Sequence, residues 1–184
     1  MKTNHTDTKT KWSIDQAHSE ISFKVRHLMI SHVKGTFKTF DASIYTIGKD
    51  FRTTEVDLWI DASSINTGDT KRDEHLKSPD FFDVENYPKI TFEGSGLKDL
   101  GDDMYELKGS LTIKGVSRPV TLAVEHGGIM SDPWGNVKAG FSITGKINRK
   151  DWGLNWNAAL EAGGVLVGEE VKISCDIELL KAAS

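Results

Sequence analysis

The chain has 184 residues, enough for one domain with a sizeable core and cramped for two. A hydrophobic fraction of 38% and a charged fraction of 27% suit a globular protein, and a formal net charge of -4 argues against a general nucleic-acid binder. The single cysteine, Cys175, excludes an internal disulfide framework, and no run approaches the roughly 20 apolar residues of a membrane-spanning helix.

Residues 1–11 are polar and read as a disordered tail ahead of one domain over 12–182. No secretory leader is visible, so the expected location is cytoplasmic, or periplasmic if a leader has been removed. In Phe23-Lys-Val-Arg-His27, apolar and charged residues alternate. That period places Phe23, Val25 and His27 on one strand face and Lys24 and Arg26 on the other, with the imidazole closing a buried stripe.

Val33, Gly35 and Phe37 have odd parity, whereas Phe40, Ala42 and Ile44 have even parity. The switch predicts a bulge near Lys38-Thr39 that bends the strand. Val56, Leu58 and Ile60 form the next apolar face. Alternation then stops between Asp69 and Asp83. Thr70 and Asp73 at capping-box spacing predict a short helix, and Ser78-Pro79 a second helical turn before Phe81 and Phe82.

The β pattern resumes with Ile90 and Phe92, then Tyr105, Leu107, Leu111 and Ile113, then Val120, Leu122 and Val124 after a turn at Gly115. Ala139, Phe141, Ile143 and Ile147 share a face that ends at Arg149. Val171, Ile173, Cys175, Ile177 and Leu179 make the last, with Cys175 reading as a buried structural thiol. The count is about eight antiparallel strands, an all-β up-and-down barrel with a helical insert around 69–83.

In that order alternate strands end at one rim. It gathers His27, Arg149, the insert, the Gly115 turn and the long stretch 150–168, while the opposite rim receives crossings at Gly48, Gly101 and Gly135. Long loops at one end of a barrel mark a ligand mouth. Candidate lining residues are Phe23, Val25, Phe37, Phe92, Leu111, Phe141 and Ile143; His27 and Arg149 are placed to meet a polar or anionic head group, and Phe82 to gate the entrance. Inward-facing Gly109, Ala139 and Gly145 are expected to leave space for a lumen.

Each candidate has a plainer reading. His27 suits a core imidazole bonded to a carbonyl, Arg149 an ion pair with Asp151 or an acid of the insert, and the aromatic residues ordinary core. Trp152 and Trp156 read as packing residues. None of the six histidines forms a His-x-His pair, and His5 lies in the tail, so no metal site is expected. No nucleophile elbow, phosphate-cradling glycine loop or zinc-binding helix motif is present, and no catalytic residue is assigned.

Trp12-Ser-Ile-Asp15, His18-Ser-Glu-Ile-Ser-Phe23, Val25-Arg-His27, Val33-Lys-Gly-Thr-Phe37, Arg72-Asp-Glu-His-Leu76, Asp80-Phe-Phe-Asp83, Tyr87-Pro-Lys-Ile-Thr-Phe92, Gly109-Ser-Leu-Thr-Ile-Lys-Gly115 and Ile147-Asn-Arg-Lys-Asp-Trp-Gly153 together resemble the YceI-like family of bacterial polyisoprenoid-binding proteins. The resemblance runs from about Trp12 to Leu179. It implies an extended, lipocalin-like antiparallel barrel that holds a long isoprenoid or similar amphiphile, often as a homodimer, with no established catalysis; no cofactor is expected. The expected function is lipid transport, storage or sequestration, with no nucleic-acid partner. Two alternatives stay open: an enzyme using His27, Asp151 and Arg149 on an isoprenoid diphosphate, and a structural or stress protein without ligand.

Overall fold

The computed structural model describes residues 8–161 and 163–182. The expected closed, eight-stranded antiparallel barrel forms, with each of its first three courses interrupted once. The first course is β1 (Lys9–Ile14) and β2 (Glu20–His27), separated by a 3-10 turn at Gln16–His18. The second is β3 (Ser31–Phe37) and β4 (Phe40–Ile47). The third is β5 (Asp50–Asp61) and β6 (Ile65–Asn66). Unbroken strands complete the ring: β7 (Lys89–Gly101), β8 (Met104–Ile113), β9 (Val116–Ser131), β10 (Val137–Asn148) and β11 (Val167–Lys181).

Neighbouring courses pair in chain order. β11 closes the ring: it pairs with β10 on one edge, and on the other with β2 and then β1, up to Trp12 opposite Lys181. The parity switch is a break at Lys38 and Thr39, both exposed, flanked by buried Phe37 and Phe40. Two residues outside the ladder let both rings face inward while the course bends. The first strand starts earlier than expected, since Lys9 to Lys11 pair with β4. Residues 1–7 of the expected tail, including His5, lie outside the described residues.

The insert holds one helix, α1 (Thr70–Lys77). Its cap is Asp69 rather than Thr70: Asp69 Oδ1 accepts the Arg72 N–H at 3.1 Å, while Asp73 Oδ1 accepts from the N–H and Oγ1 of Thr67 at 2.9 and 2.6 Å. Ser78 ends this helix and also caps the expected second turn, its Oγ accepting the Asp80 N–H at 3.3 Å and its carbonyl the Phe81 N–H at 3.0 Å. Its extended conformation, ψ 169°, is what a residue ahead of proline prefers.

One end of the barrel is plugged. Trp12 is fully buried, its Nε1 donating to Thr46 Oγ1 at 2.9 Å, and its ring meets Phe51 at 5.1 Å between centroids. Phe51 in turn packs edge-on to Phe141 at 4.9 Å. The loops 28–30, 67–88 and 149–166 gather at the other end. Among the described residues no helix is long and apolar enough to cross a membrane.

Candidate functional site

A cavity of about 560 Å³ runs from the open end down the lumen, a size typical of small-molecule sites. Its wall is built from alternate residues of most strands, including Phe23, Val25, Phe37, Leu58, Phe92, Leu111, Ile143 and Cys175. Two rings lie along this wall. A Cβ placed on Gly35 would fall 2.4 Å from Phe23 Cζ, and one on Gly109 2.4 Å from Phe92 Cζ. The inward glycines therefore do not leave open space, contrary to expectation. They accept neighbouring rings flat against the sheet, and Leu122 covers Gly145 in the same way. Ala139 lies among the buried core residues and does not line the lumen.

The mouth is basic. Arg26, His27, Lys71, Arg72, His75 and Arg149 line the cavity, and among the described residues no carboxylate does, although the whole chain carries a formal net charge of -4. Apart from these six, the one titratable lining side chain is Cys175, whose thiol burial pushes up to about 12. The arrangement offers a long apolar trough with cations at its open end.

His27 ends β2 half-buried, and its ring has no hydrogen-bond partner among the described residues. Arg149 behaves differently. It is 3% exposed, and its guanidinium donates to the carbonyls of Gly168 (2.8 Å), Trp156 (2.9 Å), Val167 (3.3 Å) and Leu154. Burial lowers its pKa from the ordinary arginine value, with Glu169 opposing. It forms no ion pair with Asp151 or with the insert among the described residues. It ties the end of β10 to the start of β11 and the intervening loop.

The helix α1 lays Lys71, Arg72, His75 and Leu76 against the mouth. Arg72 is held by Thr67, its Nε donating to Oγ1 at 2.7 Å and an Nη to the carbonyl at 2.8 Å. His75, Phe81 and Trp156 form an aromatic cluster, with His75 edge-on to Trp156 at 4.5 Å. Phe82 meets Phe37 edge-on at 5.9 Å and also lines the cavity.

The model of the YceI-like domain family matches residues 12–179. The chain belongs to the YceI-like family. The UPF0312 protein SA2479 of Staphylococcus aureus is 41% identical over 170 residues, spanning 92% of this chain and 96% of that protein. The Campylobacter jejuni YCEI protein superposes with a TM-score of 0.72 at 32% identity, covering 92% of this chain and 96% of that one. BcnA of Burkholderia cenocepacia gives 0.75 at 25% identity, over 90% and 98%. A polyisoprenoid binding domain from Saccharophagus degradans shares the fold, with a TM-score of 0.66 at 17% identity over 93% and 98%.

In this YceI-like barrel, Phe23, Val25, His27, Phe37, Phe82, Phe92, Leu111, Ile143 and Arg149 all line the cavity. Phe141 does not. It sits in the plug, stacked on His126 at 4.7 Å and 14° from parallel. Parity gives its face correctly, but depth along the barrel axis decides between lumen and plug. Alternation missed Arg26, an outward residue by parity that still reaches the rim, as well as the α1 face and Trp156. The spacing of Lys71, Arg72, His75 and Leu76 along one helical side was the available signal for α1. Trp152 packs as expected, buried with its Nε1 donating to Leu111 O at 2.9 Å.

Away from the cavity, Asp15, His18 and Glu178 bring potential metal ligands within 4.8 Å of one another. Lys138 Nζ stands 3.0 Å from both carboxylates, so an internal cation already answers their charge. The Lys138 ammonium and the His18 ring, through their hydrogen bonds, hold Asp15 below the usual carboxylate range.

Proposed function

We propose that this YceI-like barrel binds a long-chain isoprenoid or similar amphiphile, its apolar chain in the lumen and its polar head at the basic mouth. The role is carriage, storage or sequestration rather than catalysis. The observation that carries this reading is the lining itself: an apolar wall, no carboxylate among the described residues, and basic groups gathered at the open end. The Saccharophagus degradans domain, described as polyisoprenoid-binding, has the same architecture and supports the choice of ligand class.

Burial supplies affinity. At about 25 cal/mol per Å², a chain hiding several hundred Å² of apolar surface gains on the order of 10 kcal/mol before the entropic costs of association. The enzyme alternative lacks a supporting arrangement. Arg149 spends its donors on four carbonyls, and His27 is not bonded to Asp151 among the described residues. The test is organic extraction of the purified protein followed by mass spectrometry. A long-chain lipid near one equivalent supports the proposal; an empty extract together with no uptake of added geranylgeraniol overturns it.

A further inference from the structure

The hairpin of β2 and β3 carries features the cavity does not use. Its tip is Leu28, Met29 and Ile30, with exposures of 39%, 46% and 86%. Leu28 and Met29 both have positive φ, 53° and 66°, and the Ile30 N–H donates to His27 O at 3.2 Å. This tight turn ordinarily takes Asn and Gly at its centre. Three large apolar side chains are thus presented to solvent, two of them on a backbone that disfavours them. The tip adjoins the mouth: the Leu28 N–H donates to the carbonyl of Leu166, a cavity-lining residue.

Behind the tip, on the barrel exterior, lies a row of lysines. Lys146 pairs in register with Lys172, Lys172 with Lys24, and Lys24 with Lys34, across β10, β11, β2 and β3. Like charges directly opposite one another destabilise a sheet. None of the four forms an ion pair among the described residues: Glu170 lies two residues from Lys172 along β11, and Glu20 and Glu106 line the same outer groove, Glu106 pairing with Lys108 instead. Arg26 opposite His32 extends the patch towards the tip. The His32 imidazole is held below its ordinary range, by desolvation first and then by Lys24, Arg26, Lys172 and Lys34.

We propose that this face docks the barrel on an anionic membrane surface, with the Leu28–Ile30 tip in the headgroup layer and the lysine row against lipid phosphates. Dimensions fit. Lys24 and Lys34 each lie four residues from the tip, about 13 Å at a strand rise of roughly 3.3 Å, and the row is about 14 Å wide at a strand spacing of roughly 4.8 Å. An apolar wedge with a basic collar is the pattern of interfacial binding. A second copy is disfavoured because a two-fold contact through this face sets lysine row against lysine row. Nucleic acid answers the charge but offers no apolar phase to the tip. Docking rests on the tip and the four lysines, none of which lines the cavity; its use, passing a lipid between bilayer and mouth, rests on the function proposed above.

The test is flotation of the intact protein with vesicles of equimolar phosphatidylglycerol and phosphatidylcholine, against vesicles of phosphatidylcholine alone. Wild type should float with the anionic vesicles and be released by salt. The exposed-face variant K24E/K34E/K146E/K172E should lose about tenfold or more of this partitioning, and Ile30→Ser several-fold. Circular dichroism checks that both fold. Equal binding to neutral vesicles, or no loss in the quadruple variant, overturns the proposal, as does a wild-type dimer in light scattering that those substitutions dissociate. Geranylgeraniol uptake in vesicle-free solution, read by tryptophan fluorescence, should be unchanged in both variants. Vesicle docking without any uptake supports this proposal and counts against the cavity ligand instead.

Discussion

The Phe23 ring lies over Gly35, so close that a Cβ on the glycine would meet Phe23 Cζ at 2.4 Å and Cε1 at 2.7 Å. The nearest obstructions are side-chain atoms, which can yield. Gly35→Ala should therefore swing the ring off the wall into the lumen. Geranylgeraniol affinity is expected to fall several-fold in calorimetric titration, with a stability loss of about 1 kcal/mol. Gly109→Ala additionally meets Glu93 O at 2.5 Å, a backbone atom, and should cost more in urea unfolding, about 1–3 kcal/mol.

Arg149→Ala removes the donor shared by the carbonyls of Leu154, Trp156, Val167 and Gly168. Unfolding free energy should drop by about 3 kcal/mol, because buried acceptors are left unanswered. Arg149→Lys should restore little, since an ammonium cannot reproduce the planar fork. A near-neutral result in chemical denaturation would show that water replaces the guanidinium without cost.

His27 makes no side-chain hydrogen bond among the described residues, so His27→Ala should leave stability within about 0.5 kcal/mol. Its effect should fall on the head group. Affinity for geranylgeranyl phosphate is expected to weaken relative to geranylgeraniol, and an equal loss for both would remove His27 from the head-group contact.

His126 has a buried Nε2 without a hydrogen-bond partner among the described residues, and desolvation holds its pKa below the ordinary imidazole value of about 6.5. The unfolded chain therefore binds this proton more readily than the folded one. Stability is unaffected by the group above about pH 6.5 and declines as the pH falls below it. Urea midpoints measured from pH 7.5 to 5 should decrease for wild type, and His126→Phe should flatten that contribution while keeping the stack on Phe141.

Cys175 lies in the lumen with its thiol pushed up to about 12 by burial, from 9.0. The folded thiol is therefore almost wholly protonated near neutral pH, and the thiolate is the reactive form. Iodoacetamide at pH 8 should label folded protein far more slowly than protein in urea, and bound geranylgeraniol should slow it further. Labelling at the rate of a free thiol would place Cys175 outside the lumen.

Strand alternation made the barrel wall legible from the chain alone, because a one-sided sheet imposes its period on every strand. The parity change between Phe37 and Phe40 even located the break in the second course. The depth of Phe141 was not legible: inward parity is identical for plug and lumen. Nor were the partners of Arg149, since backbone carbonyls are offered by every residue. The lysine row was hidden for another reason. Lys24, Lys34, Lys146 and Lys172 become neighbours only through the registers of three strand pairs, two of them joining distant parts of the chain.

Ring closure by β11 also has a temporal side. The pairing of Trp12 with Lys181 joins the two ends of the barrel sequence, and such distant contacts are the slowest to form. Until β11 pairs with β10 and with the first course, the other seven courses can form only an open sheet with one apolar face. The lumen does not exist before that moment. An enclosed lumen is therefore a property of the fully paired barrel, set by its most distant contacts.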